Sequence, residues 1–115
     1  MQNFTITVFE GDGIGPEIMA PTLDILRRLS DASDAYKLTF QSFPMGAGHY
    51  AETGEAMPEA SLSAARSSDA ILLSAMGLPH IRYPDGIEIT PQIDIRISLD
   101  LYAGVRPVRI VPGHP

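Results

Sequence analysis

The stretch from Val8 to Met19, VFEGDGIGPEIM, sets three glycines around Asp12 and Ile14 and then opens a helix with Pro16 and Glu17. Turns of this composition often hold a phosphate, so the dinucleotide fingerprint is the first chemistry to test. It needs glycine at the first, third and sixth positions. Counted from Gly11 the sixth position is Pro16, and counted from Gly13 it is Ile18, so both frames fail. A P-loop fails as well, because Glu17 and Ile18 stand where Lys and then Ser or Thr are required. A helix N-terminus attracts anions, yet Asp12 and Glu17 already surround this one with carboxylates. The turn is not an ordinary phosphate cradle. As plain structure it is a tight turn with Gly15 near the N-cap and Pro16 at the first helical position.

Arginines offer a second chemistry. Arg96 and Arg106 lie ten positions apart, and a helix that turns back into an extended segment can aim both at one point. Two guanidinium forks suit a small di- or tricarboxylate, because Arg binds a carboxylate bidentately and keeps its charge. The plainer alternatives are an i,i+4 pair of Arg96 with Asp100 and a solvated Arg106 on an edge strand. Arg109 falls on the opposite face from Arg106 by period 2 and reads as a solvent residue. His80, Arg82, Tyr83 and Asp85 enrich the segment before Arg96, but no metal or triad spacing joins them. His49 and His114 stand alone, and no Ser/His/Asp set or catalytic carboxylate pair is present.

The elements that must position these residues follow an α/β pattern. Residues 3–9 are β-branched and aromatic and form a first, central strand. From Glu17, Ile18, Thr22, Ile25 and Leu29 recur at helical spacing with Met19 and Leu26 beside them, and carry a helix to about Leu29. Residues 36–43 alternate like a strand, and residues 44–58 are mostly turn with room for one short helix. A second helix follows, starting at Pro58 and Glu59. The run DAILLSAM reads as a buried parallel strand, with Ile6, Val8, Leu72 and Leu73 packed under the first helix. Residues 77–90 show no period, and a structureless loop of that length is usually functional or disordered. Beyond it come a short helix, PQIDIRISL, and an extended segment, DLYAGVRPVRIV. Pro107 confines that segment to an edge strand or a bulge.

Composition narrows the classes. The 115 residues suffice for one small domain. No apolar run has the length of a membrane span, and the start lacks a signal-peptide pattern. The absence of cysteine leaves no disulfide or thiolate chemistry and favours the cytoplasm. A net charge of −6, with Lys37 the only lysine, argues against nucleic acid as a partner.

With FEGDGIGPEIM at its start, LDLYAGVRPVRIVPG at its end and an arginine ten residues before Arg106, the sequence resembles the isocitrate/isopropylmalate dehydrogenase family. These are metal-dependent β-decarboxylating dehydrogenases and include tartrate dehydrogenase. The resemblance covers essentially the whole chain but only about the N-terminal third of a family member. It implies that residues 1–115 form the N-terminal part of the isopropylmalate dehydrogenase-like α/β sandwich, not a classical Rossmann fold, and reach the crossover toward a second domain. It further implies an NAD-dependent, Mg- or Mn-dependent oxidative decarboxylation of a malate-type 2-hydroxy acid by a cytoplasmic homodimer.

Carried over residue by residue, Ile14 approaches the nicotinamide end of NAD. The segment from Gly77 to Thr90 is the cofactor loop, with Gly77, Glu88 and Thr90 facing the nucleotide. Arg96 and Arg106 bind the malate core of the substrate, with Thr90 and Gln92 beside it. Two positions depart from the isopropylmalate pattern. Counted back from Arg96, the nicotinamide-touching glutamate falls on Ile89, with Glu88 one residue away. Gln92 stands where a leucine meets the isopropyl group, which favours a smaller or more polar acid.

The family's third arginine, its catalytic Tyr and Lys, its metal-binding aspartates and its adenine-binding segment correspond to nothing in these 115 residues. No catalytic or metal-binding residue is therefore assigned, and the segment alone is expected to be inactive. The closing VPGHP suggests a chain that stops in mid-architecture. A non-catalytic carboxylate- or nucleotide-binding module and an inactive fragment of the same fold are the rival readings.

Overall fold

A strand that is buried on both faces organises the computed structural model, which describes residues 1–113. This strand, β1 (Gln2–Phe9), lies between β2 (Tyr36–Ser42) and β3 (Ala70–Leu73) in an all-parallel sheet of order β2-β1-β3. Ile6 pairs with Phe40 on one side and Ala70 on the other, and Phe9 pairs with Leu73. The last three residues of β1, Thr7, Val8 and Phe9, are fully buried. The Thr7 hydroxyl donates to the Ala64 carbonyl at 3.2 Å, so its burial leaves no unpaired donor.

Period-2 alternation divides the core into two layers. Val8, Ile6, Phe40 and Leu72 face α1 (Gly15–Asp31), which contributes Met19 and Leu23. Phe9, Ile71 and Leu73 face the opposite way, toward Met45, toward Ala65 of α3 (Glu59–Ser67) and toward Ile95 of α4 (Pro91–Ser98). The expectation that Leu73 packs under α1 together with Leu72 is therefore corrected. Consecutive strand residues point to opposite faces, and β3 supplies one leucine to each layer. A short helix, α2 (Ala47–Thr53), forms inside the turn-rich stretch, as its composition allows.

Two further expectations change. Residues 77–90 are not structureless: Arg82 and Glu88 form an antiparallel bridge around a tight turn, with Tyr83 N–H donating to the Ile87 carbonyl at 3.0 Å and Gly86 N–H to the Tyr83 carbonyl at 2.8 Å. The extended segment containing Pro107 is not an edge strand. Residues 101–111 carry no helix or strand and are exposed. A strand needs a neighbouring ladder, and among the described residues none runs beside this segment. His114 lies outside the described residues.

Phe9→Ala should cost about 3–5 kcal/mol, the range for deleting a fully buried aromatic side chain. Thr39→Ala, on an exposed position of β2, should stay within about 0.5 kcal/mol. Urea denaturation of both variants checks this, and equal losses would contradict the assignment of β1 to the centre of the core.

Candidate functional site

All three strands deliver their carboxyl ends to one rim. The chain leaves β1 and β3 toward opposite sides there, which in open α/β sheets creates the crevice that receives ligands. Between the glycine turn and Ala75 the crevice is closed by backbone. Gly11 has φ of 76°, and a Cβ on it would stand 2.1 Å from the Ala75 carbonyl oxygen. Asp12 N–H donates to that same carbonyl at 2.9 Å. Backbone thus fills this side of Gly11, while Glu10, Gly11, Asp12, Met45 and Gly48 line an open cleft of about 460 Å³ at the same rim.

Asp12 itself has a role that the sequence did not disclose. Its residue is only 7% exposed, and its carboxylate is turned inward rather than toward an anion site. Oδ2 accepts from the N–H groups of Ala47 at 2.7 Å and Gly77 at 2.9 Å, and Oδ1 accepts from Gly48 N–H at 2.8 Å. Hydrogen bonds to a charged group contribute about 1.5–3 kcal/mol each. The nearest sequence signal is Asp between two glycines, which marks a turn. The donors it serves lie 35 to 65 residues away, beyond the reach of any local pattern.

Of the residues that the resemblance assigns to the cofactor, Ile14 lies in this turn and Gly77 is bonded to it. Ile14 occupies the N-cap position of α1 and is 57% exposed, so its apolar side chain is open to a ligand. Gly77 is held to Asp12, and a Cβ on it would lie 4.0 Å from Glu88 Oε1. Glu88 is exposed while Ile89 is fully buried among Ala47, Ala56, Tyr50, Leu78, Ile81 and Tyr83. Of the two residues that compete for the glutamate position, Glu88 is the exposed one. Thr90 is half-buried at the start of α4, where its carbonyl accepts from Ile93 N–H at 2.9 Å.

Along α4, Gln92 and Arg96 are one turn apart and hence on one face. Helix α4 ends in a Schellman turn. Leu101 N–H donates to the Arg96 carbonyl at 2.9 Å and Asp100 N–H to the Ile97 carbonyl at 3.1 Å, with Asp100 at φ of 56°. This reversal folds the chain back so that Arg96, Leu101, Ala103, Gly104, Val105 and Arg106 line one open cleft of about 570 Å³. Asp100 is committed to the turn, and the ion pairs among the described residues do not include it with Arg96. Neither Arg96 nor Arg106 has an ion-pair partner among the described residues. Arg109 is exposed, and neither it, Thr90 nor Gln92 lines the arginine cleft. The Gln92 Oε1 atom is buried without a hydrogen-bond partner.

Among the described residues no group of three His, Cys, Asp or Glu is placed to hold a metal ion, and no helix is long and apolar enough to cross a membrane. His80 is exposed and His49 half-buried. Tyr83 meets Tyr50 edge-on, with ring centroids 5.0 Å apart. Burial pushes the Tyr83 phenol above the ordinary tyrosine value near 10, and the charges of Asp94, Tyr50 and Asp85 push in the same direction.

Comparison with known proteins follows the same geometry. The sequence profile named isocitrate/isopropylmalate dehydrogenase matches residues 5–114. The chain is 40% identical over 117 aligned residues to a 3-isopropylmalate dehydrogenase of Synechococcus elongatus, covering 96% of this chain and 31% of that protein. It is 35% identical to a probable tartrate dehydrogenase/decarboxylase of Agrobacterium vitis, covering 98% of this chain and 31% of the relative. The chain thus spans less than a third of the length of these curated relatives. The crystal structure of a β-decarboxylating dehydrogenase from Thermococcus kodakarensis, in its apo form, superposes with a TM-score of 0.68 at 28% identity. That match covers 86% of this chain and 27% of the other.

The raised Tyr83 value has a defined sign. Between the unfolded and folded titrations the folded chain holds more protons, so stability is unaffected below pH of about 10 and falls as pH rises through the folded-state value. Tyr83→Phe keeps the ring contact and removes the proton, and should flatten this alkaline decline in denaturation curves. An unchanged slope would place the effect elsewhere.

Proposed function

The chain belongs to the isocitrate/isopropylmalate dehydrogenase family, and from that premise we propose that it forms the N-terminal part of an NAD-dependent enzyme that oxidatively decarboxylates a malate-type 2-hydroxy acid. The observation that carries the proposal is the convergence of Arg96 and Arg106 on one cleft, with no counter-ion among the described residues. Two planar forks lining one cleft suit two carboxylates of one small acid and would fix its orientation. Orientation is the main contribution such residues make to rate, because it removes the entropy of alignment from the barrier.

The cofactor side fits the same scheme. Ile14 offers an exposed apolar surface, and the Glu88 carboxylate beside Gly77 offers acceptors for ribose hydroxyls. NAD, when bound, supplies the hydride acceptor. Thr90, at the junction of the loop and α4, lies between the two groups of residues in sequence and serves both. The described residues provide no donor set for Mg or Mn, so no step here runs through a metal, and its ligands belong to other parts of the family fold. The acidic chain, with a net charge of −6, supports a small-molecule substrate rather than nucleic acid. Apolar side chains exposed along α4 and beyond it, including Ile93, Ile97, Leu101 and Val105, support a larger assembly: further polypeptide of the parent protein, which we propose acts as a homodimer in the cytoplasm.

In the full-length enzyme, where further polypeptide is proposed to close this open cleft, Arg96→Ala and Arg106→Ala should each raise KM and lower kcat/KM by an amount equivalent to about 2–5 kcal/mol, as expected when a charge-assisted contact is lost from a site so closed. Arg109→Ala should do far less. Comparable kinetics for the three variants would reject the assignment.

Gln92 lies outside the arginine cleft but one turn from Arg96 on the same face of α4, and we propose that it bears on substrate choice once the full-length site is assembled. Packing its amide against an isopropyl group without a partner would cost about 1–3 kcal/mol. The enzyme should therefore prefer tartrate, malate or isocitrate over isopropylmalate by about 10-fold, and Gln92→Leu should narrow or reverse that order. Steady-state kinetics on the four acids decide: isopropylmalate as the best substrate, with Gln92→Leu silent, contradicts the reading.

A further inference from the structure

The geometry points to Asp12 as a positioning residue for the nucleotide, one that sets both ends of the 77–90 loop against the glycine turn carrying Ile14. This inference rests on the cofactor reading above. One end is fixed directly, since Oδ2 accepts from Gly77 N–H at 2.9 Å. The other end is fixed through α2. Oδ2 also accepts from Ala47 N–H and Oδ1 from Gly48 N–H, the first two amides of that helix. Ala47 is fully buried, and it shares a cluster with Ala56 and the fully buried Ile89. Ile89 sits between Glu88 and Thr90, so the helix that Asp12 anchors is the surface on which the far end of the loop rests.

A single carboxylate thereby sets where Gly77 and Glu88 stand relative to Ile14. Arg96 stands on a helix held chiefly through another cluster, and Arg106 lies on the exposed segment beyond it. Helix α4 is held by Ile95, which is 1% exposed and packs on Phe9, Met45 and Ala65 in a different cluster. Loosening the Asp12 contacts should thus separate the two halves of the site, weakening the nucleotide and sparing the acid. The fit at Asp12 is also tight. A Cβ on Gly46 would stand 2.6 Å from Oδ1, so the pocket is closed on that side.

Asp12→Asn keeps the shape of the side chain and replaces one acceptor by a donor, which then faces an N–H group. In the full-length enzyme it should raise KM for NAD by about 10-fold, the effect of one such contact, while KM for the hydroxy acid stays within about twofold. Hydrogen exchange at Gly77 and Gly48 should accelerate, with β1 amides still protected.

Coupling between sites is reciprocal, so saturating NAD should slow exchange of the Ala47, Gly48 and Gly77 amides in the unmutated enzyme. That measurement stands even if the variant does not fold. NAD binding with those three amides unaffected, or an Asp12→Asn enzyme with both KM values raised equally, overturns the positioning role and leaves the cofactor reading intact. Failure of the unmutated enzyme to bind NAD overturns the cofactor reading, and the positioning role with it.

Discussion

An ionised carboxylate inside a small domain is a liability unless every lone pair it turns inward finds a donor. Asp12 meets that condition with three backbone amides and, among the described residues, no cation. Much of the molecule hangs on the arrangement. Helix α2 has only seven residues and no side-chain cap of its own, too short to persist in isolation; Asp12 takes the place of the missing cap. Where α2 sits decides where Ile89 can be buried, and Ile89 decides the path of the loop. A feature that looks like local turn chemistry is therefore a tertiary joint.

That joint also marks the boundary of what could be read from the sequence. Local periodicity was sufficient to place β1 and α1 but not to choose the buried face of α1: Ile18, Ile25 and Leu29 recur at helical spacing yet are exposed, and the core is instead met by Met19 and Leu23. It failed wherever the partner was distant. Asp12 was legible as a carboxylate near a helix start, and its presence argues against a phosphate, but the amides that consume it belong to residues 47, 48 and 77. Leu72 and Leu73 read as one apolar run, and only the pleat separates them into two layers. The hairpin at residues 82–88 carries a turn signal in Pro84, Asp85 and Gly86, yet only one bridge flanks it, so no alternation announced it. The run from Leu101 to Val111 has β-forming residues and no ladder to join. Strand propensity reports how well a residue fits a pleated surface, and it cannot supply the neighbour.

The arginine pair shows the opposite case, where a short-range rule has a long reach. Arg96 and Arg106 share a cleft because the chain reverses at Asp100, a non-glycine residue in the left-handed region. Such a conformation is unfavourable for most side chains and least so for Asp and Asn. The two terminal hydrogen bonds of the Schellman turn hold it there. The carbonyl of Arg96 closes the turn while its guanidinium stays available, so one residue serves as hinge and as ligand-facing group. The acid expected at this site is thus met by a backbone motif as much as by two charges.

Sheet order has a temporal side. Strand β1 precedes both of its partners, pairing on one edge with residues 36–42 and on the other with residues 70–73. During synthesis at about 5–20 residues per second, its second edge therefore waits about 2–6 s after the first can close. Throughout that interval the apolar face of Phe9 and the unpaired backbone of β1 are accessible, an open strand edge of the kind that templates aggregation. The residue at the centre of the finished core is thus made before both strands that flank it, and the later of the two decides when its burial can be completed.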